Sequence, residues 1–128
     1  MCRGLKNTQD VRTGGWYMVV DKGNNPLNFI DPSGTAMFTY SIQRGIQLGV
    51  LKIKEYASVA QKGYQSLFSF VHVNSKGLLD VIGACDGVTI KQNFVEYVTV
   101  PKILNAKEAV AGILWAAVIM ETEQLKSN

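Results

Sequence analysis

The chain has 128 residues, of which 47% are hydrophobic, and a formal net charge of +3. That length suits one small domain, and that composition excludes a disordered chain. The 13 basic residues are scattered with no run of three, which excludes the clustered stripe that nucleic-acid binding uses.

Cys2 and Cys85 are the only cysteines, too few for a disulfide framework or a four-ligand zinc site. The single histidine, His72, lies in "FVHVN" and reads as a strand-surface residue. The opening "MCRGLKNTQD" is polar and lacks the apolar core of a secretory signal. The longest apolar run, Ala109 to Met120, is too short to span a bilayer. The chain therefore reads as soluble, without a membrane partner, in the cytoplasm or an unassigned compartment.

In chain order, residues 1–9 read as the tail of a helix. Val11 to Asn28 is turn-rich, with "RTGG" and "KGNNP" on either side of "WYMVVD", which reads as a short strand. Asp31-Pro32 is a helix start, because Asp caps and Pro suits the first helical position. That helix runs to about Leu48 on Phe38, Ile42 and Ile46, with Gly49 as its stop. Gly45 inside it implies a close contact. A second helix is expected over 54–70, with Tyr56, Val59, Ala60, Gly63, Tyr64, Leu67 and Phe68 on its dry face. "FVHVNSKGLLDVIG" reads as a hairpin with strands at 71–73 and 78–82 and "NSKG" as its turn. A loop over 83–104 follows. The last helix is expected to begin at Asn105, which with Glu108 has the form of a capping box. From Ala109 to Met120 it is apolar on every side, so something must cover it all round.

Short and long connections thus alternate between helices. That is the pattern of stacked helical hairpins carrying their long loops on one functional face.

Four segments in this order, "TQDVRTGGWYMVVD", "DPSGTAMFTYSIQRGIQLG", "GLLDVIGACDGV" and "PKILNAKEAVAGILWAAVIME", resemble the C-terminal part of the unsaturated rhamnogalacturonyl hydrolases of glycoside hydrolase family 105, allied to family 88. The resemblance implies an all-α fold, an (α/α)6 barrel with short β-hairpins on its loop face. Residues 1–128 would supply the C-terminal portion of that single domain, as an incomplete barrel. It implies removal of a terminal Δ4,5-unsaturated uronic acid from pectin-derived oligosaccharides, with an aspartate hydrating the enol-ether double bond. No metal or organic cofactor is implied. The family's catalytic aspartate and its His-, Trp- and Arg-bearing motifs lie in the N-terminal half and have no counterpart here. The chain alone is therefore expected to be inactive.

The residue types suggest a sugar-facing wall. Trp16 and Tyr17 are candidates because C–H faces of sugars pack on aromatic rings; the competing role is core packing. On a strand their side chains point to opposite faces, so one of the two would face the pocket. Thr35, at the start of its helix, would border the same cavity, where backbone N–H groups favour an anionic uronate; the competing role is ordinary capping chemistry. Asp86, between Cys85 and Gly87, would bind hydroxyls or close its own turn. Cys85 has no histidine nearby in sequence and reads as structural. Tyr97, Lys102 and Asn105 line the entry to the last helix. The resemblance implies a pocket rim there, while the cap explains Asn105 without a ligand. Nothing in the spacing pairs Asp21, Asp31, Asp80, Asp86 or Glu96 for acid–base work.

A rival from another class is a non-catalytic carbohydrate-binding or helical assembly piece. The apolar last helix is expected to leave an exposed patch through which the chain self-associates.

Overall fold

The computed structural model describes residues 1–127, with side chains through Thr122. The described residues form five α-helices and two small sheets: α1 (Cys2–Thr8), α2 (Pro32–Gln47), α3 (Ile53–Leu67), β1 (Val71–Val73), β2 (Leu79–Val81), β3 (Ala84–Cys85), α4 (Phe94–Val98), β4 (Lys102–Ile103) and α5 (Lys107–Ser127). No helix among the described residues is long and apolar enough to cross a membrane.

The start of α2 follows its sequence signal. The Asp31 carboxylate accepts hydrogen bonds from the amides of Ser33 (3.2 Å) and Gly34 (2.9 Å), and Pro32 occupies the first turn. Such a cap stabilises a helix start by about 1 kcal/mol. At the other end Gly49 takes φ +70°, and the amide of Val50 returns to the carbonyl of Gly45. The close contact expected at Gly45 is Leu51, whose Cδ1 would lie 2.8 Å from an added Cβ.

Helix α2 is central, with α3 and α5 packed on it and only lightly on each other. The core between them holds Trp16, Ile42, Leu67, Thr35 and Thr39, all fully buried. The dry face expected for α3 is present from Tyr56 to Leu67. Phe68 departs from it, with 62% of its surface exposed. The helix tightens into a 3₁₀ turn at Phe68–Phe70, which rotates the ring outward, where it meets Tyr64 edge-on at 5.2 Å.

Strands β1 and β2 pair antiparallel with His72 opposite Asp80. Their turn is built on Asn74, whose side-chain oxygen accepts from the amides of Lys76 and Leu78, with Gly77 at φ +76°. His72 is exposed, as a strand-surface histidine should be.

Three local expectations are corrected. "WYMVVD" is not a strand: its only ladder contact is the single bridge between Tyr17 and Ile30, and the rest is turns. The segment 83–104 is not featureless, since it holds β3, α4 and β4, elements too short to show a period. Asn105 does not cap α5. It lies at φ +57° outside the helix, and its side chain accepts from the Val81 amide (2.7 Å) and donates to Asp80 (2.9 Å). Asn105 thus ties α5 to the β1–β2 hairpin; tertiary partners outbid the local box.

Candidate functional site

The two long connections meet at the N-termini of α2 and α5. Lys102 places its Nζ 3.7 Å from the centre of the Phe29 ring, joining the 84–105 loop to the 17–30 loop. The 17–30 loop is closed by hydrogen bonds from Met18 to Phe29 and from Asp31 to Trp16. Buried Asn28 holds its interior, donating to the carbonyls of Val19 (2.9 Å) and Lys22 (3.0 Å).

Between this loop and the end of α1 lies an open polar cleft of about 700 Å³. Asp10, Arg12, Tyr17, Asn24, Asn25 and Asn28 are among its lining residues. Its charged edge is preorganised. The Asp10 carboxylate accepts from the hydroxyl (2.8 Å) and amide (2.9 Å) of Thr13 and pairs with Arg12 at 3.8 Å. Burial pushes the Asp10 carboxyl up, but the Thr13 bonds and the Arg12 charge outweigh it, and the net shift is downward. Arg12 donates to the Tyr17 hydroxyl at 3.3 Å, so a guanidinium and a phenol stand side by side at the rim. A cation, a phenol and several amides at one opening form a surface suited to an anionic, hydroxyl-rich ligand.

A second, smaller cavity of about 190 Å³ lies directly at the two helix starts, lined by residues including Met18, Asp31, Ser33, Cys85 and Glu108. Burial raises the Cys85 thiol pKa, and the Asp31 charge adds to this against the opposing Lys102. That is the environment of a structural thiol rather than a nucleophile. Among the described residues no group of three His, Cys, Asp or Glu is arranged to hold a metal ion.

The six sequence candidates do not converge. Tyr17 lies in the polar cleft, half-buried. Trp16 presents no surface at all: its indole donates to the Leu5 carbonyl (2.8 Å) and meets Phe38 edge-on at 5.6 Å. The sugar-facing role assigned to Trp16 is therefore corrected to a core role. Its neighbours explain the preceding glycines. Gly14, at φ +78°, runs so close to α3 that an added Cβ would sit 2.5 Å from the Lys62 carbonyl oxygen. Thr35 is also fully buried, and its hydroxyl accepts from the Trp16 amide at 3.0 Å, so it holds the loop against the start of α2. Asp86 is exposed and, among the described residues, makes no hydrogen bond, so the expected turn closure is absent. Tyr97 accepts from the Lys91 amide (3.1 Å), closing the turn before α4. Asn105 anchors the hairpin, as described above. Sequence reasoning missed Asp10, Arg12 and the asparagines of "KGNNPLN"; an amide-rich turn next to a lone Arg was the available signal.

The sequence model of Glycosyl Hydrolase Family 88 matches residues 1–124. Among solved structures, a family 105 glycoside hydrolase from C. acetobutylicum ATCC 824 is similar at 25% identity and TM-score 0.86, over 94% of this chain and 35% of its own. Possible family 105 members from Salmonella enterica serovar Paratyphi A and Klebsiella pneumoniae are each similar at 20% identity over 94% of this chain and 30% of theirs, with TM-scores of 0.73 and 0.72. The chain thus spans about a third of the length of these structures. Its helices with two small sheets are a portion of their fold, as the expected six-hairpin, all-α class requires. On the match across its length, the chain belongs to glycosyl hydrolase family 88.

Proposed function

We propose that residues 1–128 form the C-terminal portion of a single (α/α)6-barrel domain and supply one wall of its carbohydrate site. The substrate class is an oligosaccharide ending in a Δ4,5-unsaturated uronic acid, of the pectin (rhamnogalacturonan) type. Hydration of the enol ether would be driven by an aspartate outside this chain. The observation that supports the reading is the Arg12–Tyr17 pair at the mouth of the amide-rich cleft. In it Arg12 meets the uronate carboxylate, Tyr17 offers its ring edge and hydroxyl, and Asn24 and Asn25 offer amides to sugar hydroxyls.

The test is titration of the 128-residue chain with an unsaturated uronyl disaccharide, followed by calorimetry and by ultraviolet absorbance of the double bond. Binding without loss of absorbance is expected. Arg12→Ala should abolish binding while leaving the fold intact, because its side chain is 77% exposed. Absence of binding by the unmodified chain would remove the cleft as a sugar site. Turnover by the isolated chain would refute the placement of catalysis elsewhere.

A further inference from the structure

The segment between β2 and α5 is built as a flap. At its root Val81 and Asn105 exchange two hydrogen bonds. The Asn105 amide donates to the Val81 carbonyl (2.8 Å), and the Val81 amide donates to the Asn105 side-chain oxygen (2.7 Å). Beyond that root only two residue pairs join the arms in a ladder, Ala84 with Ile103 and Cys85 with Lys102. Gly83 and Gly87, at φ +85° and +54°, flank β3 and let the backbone turn where a side chain would resist. From Gly87 to Ile90 no hydrogen bond holds the chain among the described residues. A segment so rooted and so lightly held can open locally while the helices stay folded.

The flap walls the small cavity at the starts of α2 and α5. Cys85, Gly87 and Val88 line it from the flap, Met18 from the 17–30 loop, Ser33 from α2 and Glu108 from α5. One Glu108 oxygen, Oε2, is sealed from solvent there and has no hydrogen-bond partner among the described residues. Gly87 stands beside this carboxylate, an added Cβ lying 3.9 Å from the other oxygen. A sealed carboxylate oxygen without a donor favours an open form, in which water or a ligand hydroxyl supplies one. A counterweight is therefore needed to keep the flap down. Lys102 supplies it, with its Nζ 3.7 Å from the centre of the Phe29 ring, on the electron-rich face. Lys102 pairs with Cys85 in the ladder, and the Phe29 carbonyl accepts from the Met18 amide (2.8 Å). The contact thus clamps the two loop walls of the cavity, Cys85 and Met18, to each other.

We propose that the Lys102–Phe29 contact is the latch of a flap, residues 83–104, that opens and closes the cavity at the starts of α2 and α5. Opening would uncover Cys85 and the Glu108 carboxylate together. The device stands independently of the sugar reading.

Cys85 reports the flap, being only 6% exposed when the latch is made. In a Cys2→Ser background, its rate of reaction with a thiol reagent under native conditions measures opening. Lys102→Met keeps the length of the side chain and removes the charge, and should speed the reaction about two- to fivefold, the worth of an exposed cation–π contact. Phe29→Leu should do the same, and the double variant should be no faster than either single one. Lys102→Arg, which also stacks on a ring, should stay near the parent. The sign separates a latch from plain electrostatics. The Lys102 charge favours the Cys85 thiolate, so a lysine acting through charge alone would slow the reaction when removed. Exchange of the Met18 amide should rise in the same variants while α2 and α3 keep their protection. An unchanged or slower Cys85 reaction in Lys102→Met, or additive effects in the double variant, overturns the latch. A faster reaction accompanied by equal loss of protection in α2 and α3 overturns it as well, because global unfolding would then carry the reaction.

Discussion

Gly63→Ala puts the packing of the core to a quantitative test. Gly63 is in the interior of α3, facing α2 and the 10–16 loop. An added Cβ would press into the Thr39 hydroxyl oxygen and lie 2.9 Å from Cζ3 of Trp16. Neither neighbour is free to yield. Trp16 and Thr39 are both fully buried, and the indole is held by the Leu5 carbonyl at one end and by Phe38 at its edge. Helix propensity favours Ala over Gly by about 1 kcal/mol. Overpacking a filled core costs about 1–3 kcal/mol, and here two rigid atoms are struck at once, so the upper part of that range applies. The expected result is a net destabilisation of about 1–2 kcal/mol. Urea unfolding at one protein concentration measures it as a lowered midpoint at unchanged slope. Two controls isolate the cause. Gly4→Ala, where nothing lies within 4 Å of the added Cβ, should gain up to about 1 kcal/mol. Thr39→Ala should be close to neutral, because the Thr39 hydroxyl oxygen is buried without a hydrogen-bond partner among the described residues. Combined with Gly63→Ala, it should recover at least half the loss, giving a coupling of about 0.5 kcal/mol or more. A Gly63→Ala chain as stable as the parent, or a double variant with no recovery, would refute this account of the core.

Asn28→Ala removes both donor bonds inside the 17–30 loop, so amide exchange over 19–28 should rise at least several-fold while the helices keep their protection; unchanged exchange would mean the loop is held from outside. Asp10 has a carboxyl pKa lowered by folding, so its stabilisation is full above the unfolded value and is lost as pH falls through the folded one. Asp10→Asn should therefore flatten acid unfolding in that window, read by circular dichroism against pH. Tyr64 behaves in the opposite sense: burial first, then its bond to Glu121, push its hydroxyl up to about 12. Its contribution is present below the ordinary tyrosine value of 10.0 and is lost as pH rises toward about 12, so tyrosinate titration should show a late group that Tyr64→Phe removes. Cys85, buried with a raised thiol pKa, should react with a thiol reagent far more slowly than half-buried Cys2 under native conditions.

The sequence by itself determined the elements whose signals are local and repeated. Asp31-Pro32 opened α2 because a carboxylate one residue before the first turn can reach the free amides without help from the rest of the chain. Tyr56 to Leu67 marked the buried face of α3 because a helix repeats its surface every few residues. Asn74 and Gly77 marked the hairpin turn, and four ordered segments marked the family. Tertiary structure alone decided the rest, because the competing roles use the same residue types. An aromatic after two glycines serves a sugar or a core equally well, and only the fit of α3 against Gly14 and of Leu5 against the indole sent Trp16 inward. Asn105 had a local capping partner in Glu108, yet Val81 and Asp80, distant in sequence, offered better bonds. Arg12 and Asn25 are unremarkable until the loop from Tyr17 to Ile30 folds back and sets them across one cleft. Side-chain chemistry is written in the chain, whereas convergence is a property of how distant segments pack.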